Sequence, residues 1–302
     1  MIAVCSPSHD ASFRFALALV AALAATALAT AGCSTTKLAV GTMVPILEES
    51  VAAGMSSTDL ALVRDGMPAN LVLLDGLVRT DPRPELLALG AELYFSYAFA
   101  FIEDEDPERA AGLYAIGRDY GRRALAADKK LGAALASGRP EELKPALARL
   151  GREDAPALVW AAASWAGWAN LSLDEPEAVA DLPAIQLLLE RADELDPGYM
   201  YGVPPLLLGS FHAARPPILG GDPERARGYF TRATEVGGGK LLLAPVFEAR
   251  YYARAVLDEE LYAARLRAVL AAPVDIAPDI RLLNAVAQRK AADLLARQDE
   301  YF

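Results

Sequence analysis

Apolar positions recur at three- and four-residue steps from about residue 42 to the C-terminus, while period-two alternation is almost absent. That pattern predicts helices at about 42–54, 58–78, 84–103, 107–127, 141–150, 155–173, 182–195, 202–214, 223–236, 243–257, 258–271 and 279–298. The segment from Pro84 shows its inward face plainly: Leu87, Ala91, Tyr94, Ala98 and Phe101 form one stripe. Ala110, Tyr114 and Gly117 do the same in the next segment. Helix punctuation agrees with the periodicity. Asp106-Pro107 and Asp222-Pro223 place an N-capping carboxylate before a proline at the first helical position. Asp81-Pro82-Arg83-Pro84 opens another helix, and Gly237-Gly238-Gly239 and Ala272-Pro273 close two more. The expected fold class is all-α.

An internal repeat refines the expectation. "DPERAAGLYAIG" (106–117) and "DPERARGYFTRA" (222–233) share Asp, Pro, Glu, Arg, Ala and Gly at equal offsets, and Tyr114 aligns with Phe230. Small residues at this spacing from an aromatic let a second helix approach while the ring fills the gap, as in tetratricopeptide (TPR) units. "ADELDP" (192–197) has the ending of a third unit. The spacing between units is irregular. The architecture expected is a TPR-like array of helical hairpins, forming a curved superhelical shell with a cleft.

The first forty residues stand apart. Arg14 precedes an uncharged Ala- and Leu-rich run from Phe15 to Ala31, which ends in "ATALATAGCSTTKL" (25–38). A basic start, an apolar middle and a small-residue exit make a secretory signal. Ala31-Gly32 before Cys33 resembles a bacterial lipobox, with Thr30 where that pattern prefers Leu. The domain expectation is a lipoprotein signal peptide over 1–32 and one all-helical domain over 33–302. Cys33 would carry the lipid, since several acyl chains are needed for a stable anchor. Ser34, and not Asp, after the cysteine points to the outer membrane, on the periplasmic side. The only other cysteine, Cys5, leaves with the signal, so no disulfide forms and the core alone must hold the fold.

Composition then excludes function classes. The formal net charge is −11, and the signal removes one Asp and one Arg, so the remainder keeps that value. An acidic surface disfavours nucleic acid. No segment after the signal has eighteen consecutive apolar residues, so none is expected to span a membrane. His212 is the only histidine after the signal, too little for a His-based triad or for most zinc sites. Gly237-Gly238-Gly239-Lys240 lacks phosphate-loop spacing, and Glu103-Asp104-Glu105-Asp106 reads as a solvated corner. No catalytic constellation, metal site or cofactor motif emerges, and the chain does not read as an enzyme.

Aromatic clustering says more. Trp160, Trp165 and Trp168 span an arc of about 140° on one predicted helix, followed by Asn170. Tyr199 and Tyr201 flank Met200, and "GSFHAARPPILGGDPERA" (209–226) is a connector stiffened by proline and loosened by glycine. For any one aromatic, filling the space between helix pairs is the plainer role. As a group, with Tyr94 and Tyr97, they outline an apolar groove, for which His212, Arg215 and Asn284 are the polar candidates.

"DGMPANLVLLDGL" (65–77), "LYFSYAFAFIED" (93–104), "LVWAAASWAGW" (158–168), "ILGGDPERARGYFTRA" (218–233) and "LLNAVAQRKAADLLARQDEYF" (282–302) occur in this order from one end of the domain to the other. On these segments the chain resembles the T-component lipoproteins of tripartite ATP-independent periplasmic (TRAP) transporters. The resemblance implies a TPR-like helical fold with a hydrophobic cleft and self-assembly into a homotrimer. It also implies association with a cognate periplasmic solute-binding protein, and an accessory role in delivering a hydrophobic small molecule. The rival expectation is an envelope scaffold lipoprotein that mediates protein–protein contacts without a small ligand.

Overall fold

Residues 37–302 are described by the computed structural model, and among them every regular element is helical. The signal segment and Cys33 lie outside the described residues. The chain divides into two units after Glu48, and the second is Glu49–Phe302. The described part of the first, residues 37–48, is helical. That helix, α1, runs over Lys37–Met55, and its last turns belong to the second unit.

The second unit continues with α2 (Leu60–Thr80), α3 (Pro84–Tyr97), α4 (Pro107–Leu125), α5 (Lys129–Ser137), α6 (Pro140–Leu147) and α7 (Ala155–Leu171). It ends with α8 (Pro176–Leu195), α9 (Val203–Ala213), α10 (Pro223–Val236), α11 (Leu243–Phe247), α12 (Glu259–Ala271) and α13 (Arg281–Ala296). The caps act as their chemistry requires. Asp106 accepts from the Arg109 amide at 3.0 Å and Asp222 from the Arg225 amide at 3.1 Å, each satisfying a donor the helix cannot.

The helices differ from expectation in several places. α5 was not foreseen, although Asp128 caps it through the Lys130 and Leu131 amides and Gly138, at φ +66°, ends it. Its nine residues are too few for periodicity to stand out. α8 begins at Pro176 instead of 182. The helices expected over 84–103 and 243–257 both change character, into π-helical segments at Ala98–Ile102 and Glu248–Ala253. A π turn adds one residue to the helical loop and shifts the facing of everything after it.

α7 is apolar on every side, and it packs against α3, α4, α8 and α9, so it is the central helix. Leu158 and Leu188 are fully buried, each contributing roughly 1.5–3 kcal/mol relative to exposure. The expected stripes of α3 and α4 are buried throughout. Pro84–Ile102 and Lys37–Met55 are each long and apolar enough to qualify as membrane spans by length and composition. The first of these is largely buried among the other helices, which accounts for its apolarity.

The sequence repeat has a packing counterpart. Tyr114 of α4 lies over Gly167 of α7, and Phe230 of α10 lies over Gly209 of α9. A Cβ on either glycine would stand 2.9 Å from the ring, closer than van der Waals contact allows. The aligned aromatics therefore do the same job in both halves, each ring seated on the bare backbone of a partner helix.

Candidate functional site

Both π-helical segments border one cavity of about 510 Å3. Phe95 and Phe99 line it from α3 and the first π segment, and Tyr114 from α4. Gly167 and Asn170 come from α7, Phe211 from α9, and Phe247, Arg250 and Tyr251 from α11 and the second π segment. The rings brace one another: Phe99 stands 5.4 Å edge-on from Phe247, which is 5.5 Å from Tyr251, and Phe95 is 5.5 Å from Tyr114. Such pairs add about 0.5–1.5 kcal/mol each beyond area burial, so the wall is preformed.

Two polar groups face this wall, and they differ in kind. The first is a closed network. Tyr114 donates its hydroxyl hydrogen to Glu103, and Arg250 donates to Glu103 at 2.9 Å and to Asp104 at 3.2 Å. Lys290, itself buried, pairs with Asp104. Burial acts to raise the Asp104 carboxyl, but Lys290, Arg250 and Arg289 hold it below the usual carboxylate range. Glu105 pairs with Arg64, and Asp106 is the α4 cap. The expected solvated corner holds for Asp104, Glu105 and Asp106, which are exposed, but not for Glu103, which is half-buried; Glu103 and Asp104 also form an ion-pair hub joining the end of α3 to the second π segment and α13. Sequence reading missed it because Arg250 and Lys290 lie about 150 and 190 positions away.

The second group is open. Arg215 is 5% exposed. It donates through Nη1 to the Phe211 carbonyl and through Nη2 to Oδ1 of Asn170, each at 2.6 Å. Its guanidinium lies 4.0 Å over the Phe211 ring. Nε has no hydrogen-bond partner, and no carboxylate pairs with Arg215 among the described residues. Burial pulls this arginine down to about 10. It remains cationic at neutral pH, a buried charge held by neutral acceptors alone.

Asn170 and Arg215 are therefore the two sequence candidates that meet at the cavity. The other candidates lie elsewhere. Tyr94 donates to Asp75 at 2.8 Å, as Tyr120 does at 2.7 Å, and Tyr97 packs 6.1 Å from Phe101. Trp160 donates to the Tyr199 hydroxyl at 3.1 Å and rests 5.7 Å from Phe95, behind the cavity wall. Trp165 donates to Asp181 at 2.8 Å under the Arg122 guanidinium, and Trp168 lies 3.9 Å beneath Arg118. Tyr201, in the left-handed region at φ +60°, donates to Asp279. His212 meets the Gly220 carbonyl through Nδ1 at 3.2 Å and stacks on Tyr229, and burial lowers its pKa. Asn284 accepts from the Leu242 amide and donates to the Lys240 carbonyl, pinning the entry to α11.

The family model for the TRAP transporter T-component matches residues 56–302, almost the whole second unit. This chain belongs to that family. Membership assigns the T-component an accessory role in a TRAP transport system of the bacterial envelope. A relative from Treponema pallidum (strain Nichols), described only as uncharacterized, is 27% identical over 313 residues. That alignment covers 92% of this T-component and 95% of the relative.

Proposed function

We propose that this T-component is a lipid-anchored periplasmic protein that binds a small amphipathic molecule in the aromatic cavity and docks a cognate solute-binding protein. The ligand has an apolar body and one anionic end. The observation that carries this reading is Arg215, a buried cation at a ring-lined wall with no counter-ion among the described residues. A buried unpaired charge is costly, and an anion placed against Nε would supply both the missing acceptor and the missing charge. The rings would cover the rest of the molecule. The successive packing of α3 with α4, α7 with α8 and α9 with α10 supports a TPR-like arrangement of helix pairs. Anchoring through Cys33 on the periplasmic side of the outer membrane, and assembly as a homotrimer, complete the proposal.

Calorimetry of the purified protein with 4-phenylbutyrate and 4-phenylbutanol tests the cavity. The acid should bind at least tenfold more tightly than the alcohol, and Arg215→Met should abolish that preference. Equal binding of acid and alcohol would remove the anionic end from the reading.

The scaffold reading draws on a different observation. Val72 and Leu73 of α2 are exposed, a surface suited to another protein. Co-purification separates the two: a solute-binding protein as partner supports transport, and envelope-assembly machinery supports a scaffold.

A further inference from the structure

A second cavity, of about 490 Å3, is bounded by the end of α1, by α2 and α3, and by the start of α13, all within the unit Glu49–Phe302. Met55, Leu62, Met67, Leu71 and Leu283 make its wall chiefly apolar. Ser50, Ser57, Asn70 and Ser96 are its polar neutral side chains, and Glu92 of α3 is the one titratable group that lines it. Glu92 has no hydrogen bond and no ion pair among the described residues. Three arginines of the surrounding helices are engaged elsewhere. Arg64 pairs with Glu105, Arg281 donates to the Ser56 carbonyl, and Arg289 donates to the Ala100 carbonyl. Tyr199, which receives the Trp160 N–H, is the other ionisable group that senses Glu92.

Glu92 is half-buried, and its carboxyl stands beside this apolar wall with no protein group among the described residues to compensate its charge. Burial accordingly pushes Glu92 up to about 7. An anionic ligand would be repelled. An alcohol would satisfy one hydrogen bond but leave the ionised form without compensation. A protonated amine supplies both the hydrogen-bond donors and the opposite charge.

We propose that this cavity is a ligand site distinct from the aromatic one, taking an apolar molecule that carries one protonated amine, with Glu92 as its counter-ion. The amine end lies against the carboxylate and the apolar body along Met67, Leu71 and Leu283. Binding favours ionised Glu92, so the complex forms with release of the proton that Glu92 carries below about pH 7. Affinity therefore rises with pH up to that point, by at most about tenfold per unit, and levels off above it.

Octylamine, octanol and octanoate, each below its aggregation concentration, are the probes for calorimetry on the purified protein. Titrations at pH 6 and pH 8, in buffers of different ionisation enthalpy, count the protons released. Octylamine should bind at least tenfold more tightly than octanol, releasing close to one proton at pH 6 and few at pH 8. Glu92→Gln should cost at least tenfold in octylamine affinity and abolish the proton release, with thermal stability no lower than the parent's. Met67→Trp, which fills the cavity and keeps Glu92, should also weaken octylamine, whereas Arg215→Met should leave it unchanged. Octanol binding as tightly as octylamine would overturn the proposal. So would undiminished octylamine binding in Glu92→Gln, or loss of it in Arg215→Met with Glu92→Gln unaffected.

Discussion

The Arg215 guanidinium and the Asn170 side-chain oxygen meet at 2.6 Å across 45 positions of sequence, joining the segment after α9 to the end of α7 at the wall of the aromatic cavity. The bond is one half of a fork whose other prong holds the Phe211 carbonyl. Asn170→Ala leaves a buried guanidinium short of one more acceptor and should destabilise by about 1–3 kcal/mol. Arg215→Met removes the charge along with the need to pair it, and should cost less than Asn170→Ala or stabilise the protein. Urea denaturation of both variants gives the order. If Arg215→Met proves the more damaging, the guanidinium already has its charge compensated.

Glycine at the ring seats makes a paired prediction. Gly167→Ala and Gly209→Ala each drive a methyl into a ring, Tyr114 or Phe230, and should destabilise by about 1–3 kcal/mol. Gly112, on the open face of α4 with nothing near its Cβ position, is the control. Gly112→Ala should stabilise by about 0.5–1 kcal/mol through helix propensity. Thermal melts should separate the two classes, and similar shifts for all three would mean that the ring seats relax without penalty.

The three tryptophans should report differently on ligand. Trp160 touches Phe95 of the cavity wall, whereas Trp165 and Trp168 lie under arginines away from it. A fluorescence change on adding 4-phenylbutyrate should survive Trp165→Phe and Trp168→Phe and vanish in Trp160→Phe. A signal lost with Trp165 or Trp168 would move the ligand to another surface.

Tethering is tested by Cys33→Ala. The variant should show the parent's helical circular dichroism and melting temperature, but fractionate as a soluble protein. Retention with membranes would point to attachment by some route other than the Cys33 sulfur.

What could be read in the chain follows from how local each cause is. Asp106-Pro107 and Asp222-Pro223 announce helix starts because cap and first turn are sequence neighbours. The stripe from Leu87 to Phe101 announces its buried face because helical geometry fixes it. The repeat likewise announced Tyr114 and Phe230 as packing rings, since ring and small residues lie within one helix. Arg215 and Asn170 were in view as polar candidates, but nothing local linked them.

Sequence by itself determined an all-helical chain, its caps and the interior faces of its longer helices, because these depend on contacts within a turn or two. Tertiary structure alone decided which aromatics surround a cavity. Two π turns rotate Phe99 and Tyr251 to the same wall, while Trp165 and Trp168, as apolar on paper, turn toward Asp181 and Arg118. It also decided which charges lack partners. Glu103 finds Arg250 across the fold, whereas Arg215 and Glu92 pair with no opposite charge among the described residues, and electrostatic pairing over such separations depends on how helices dock.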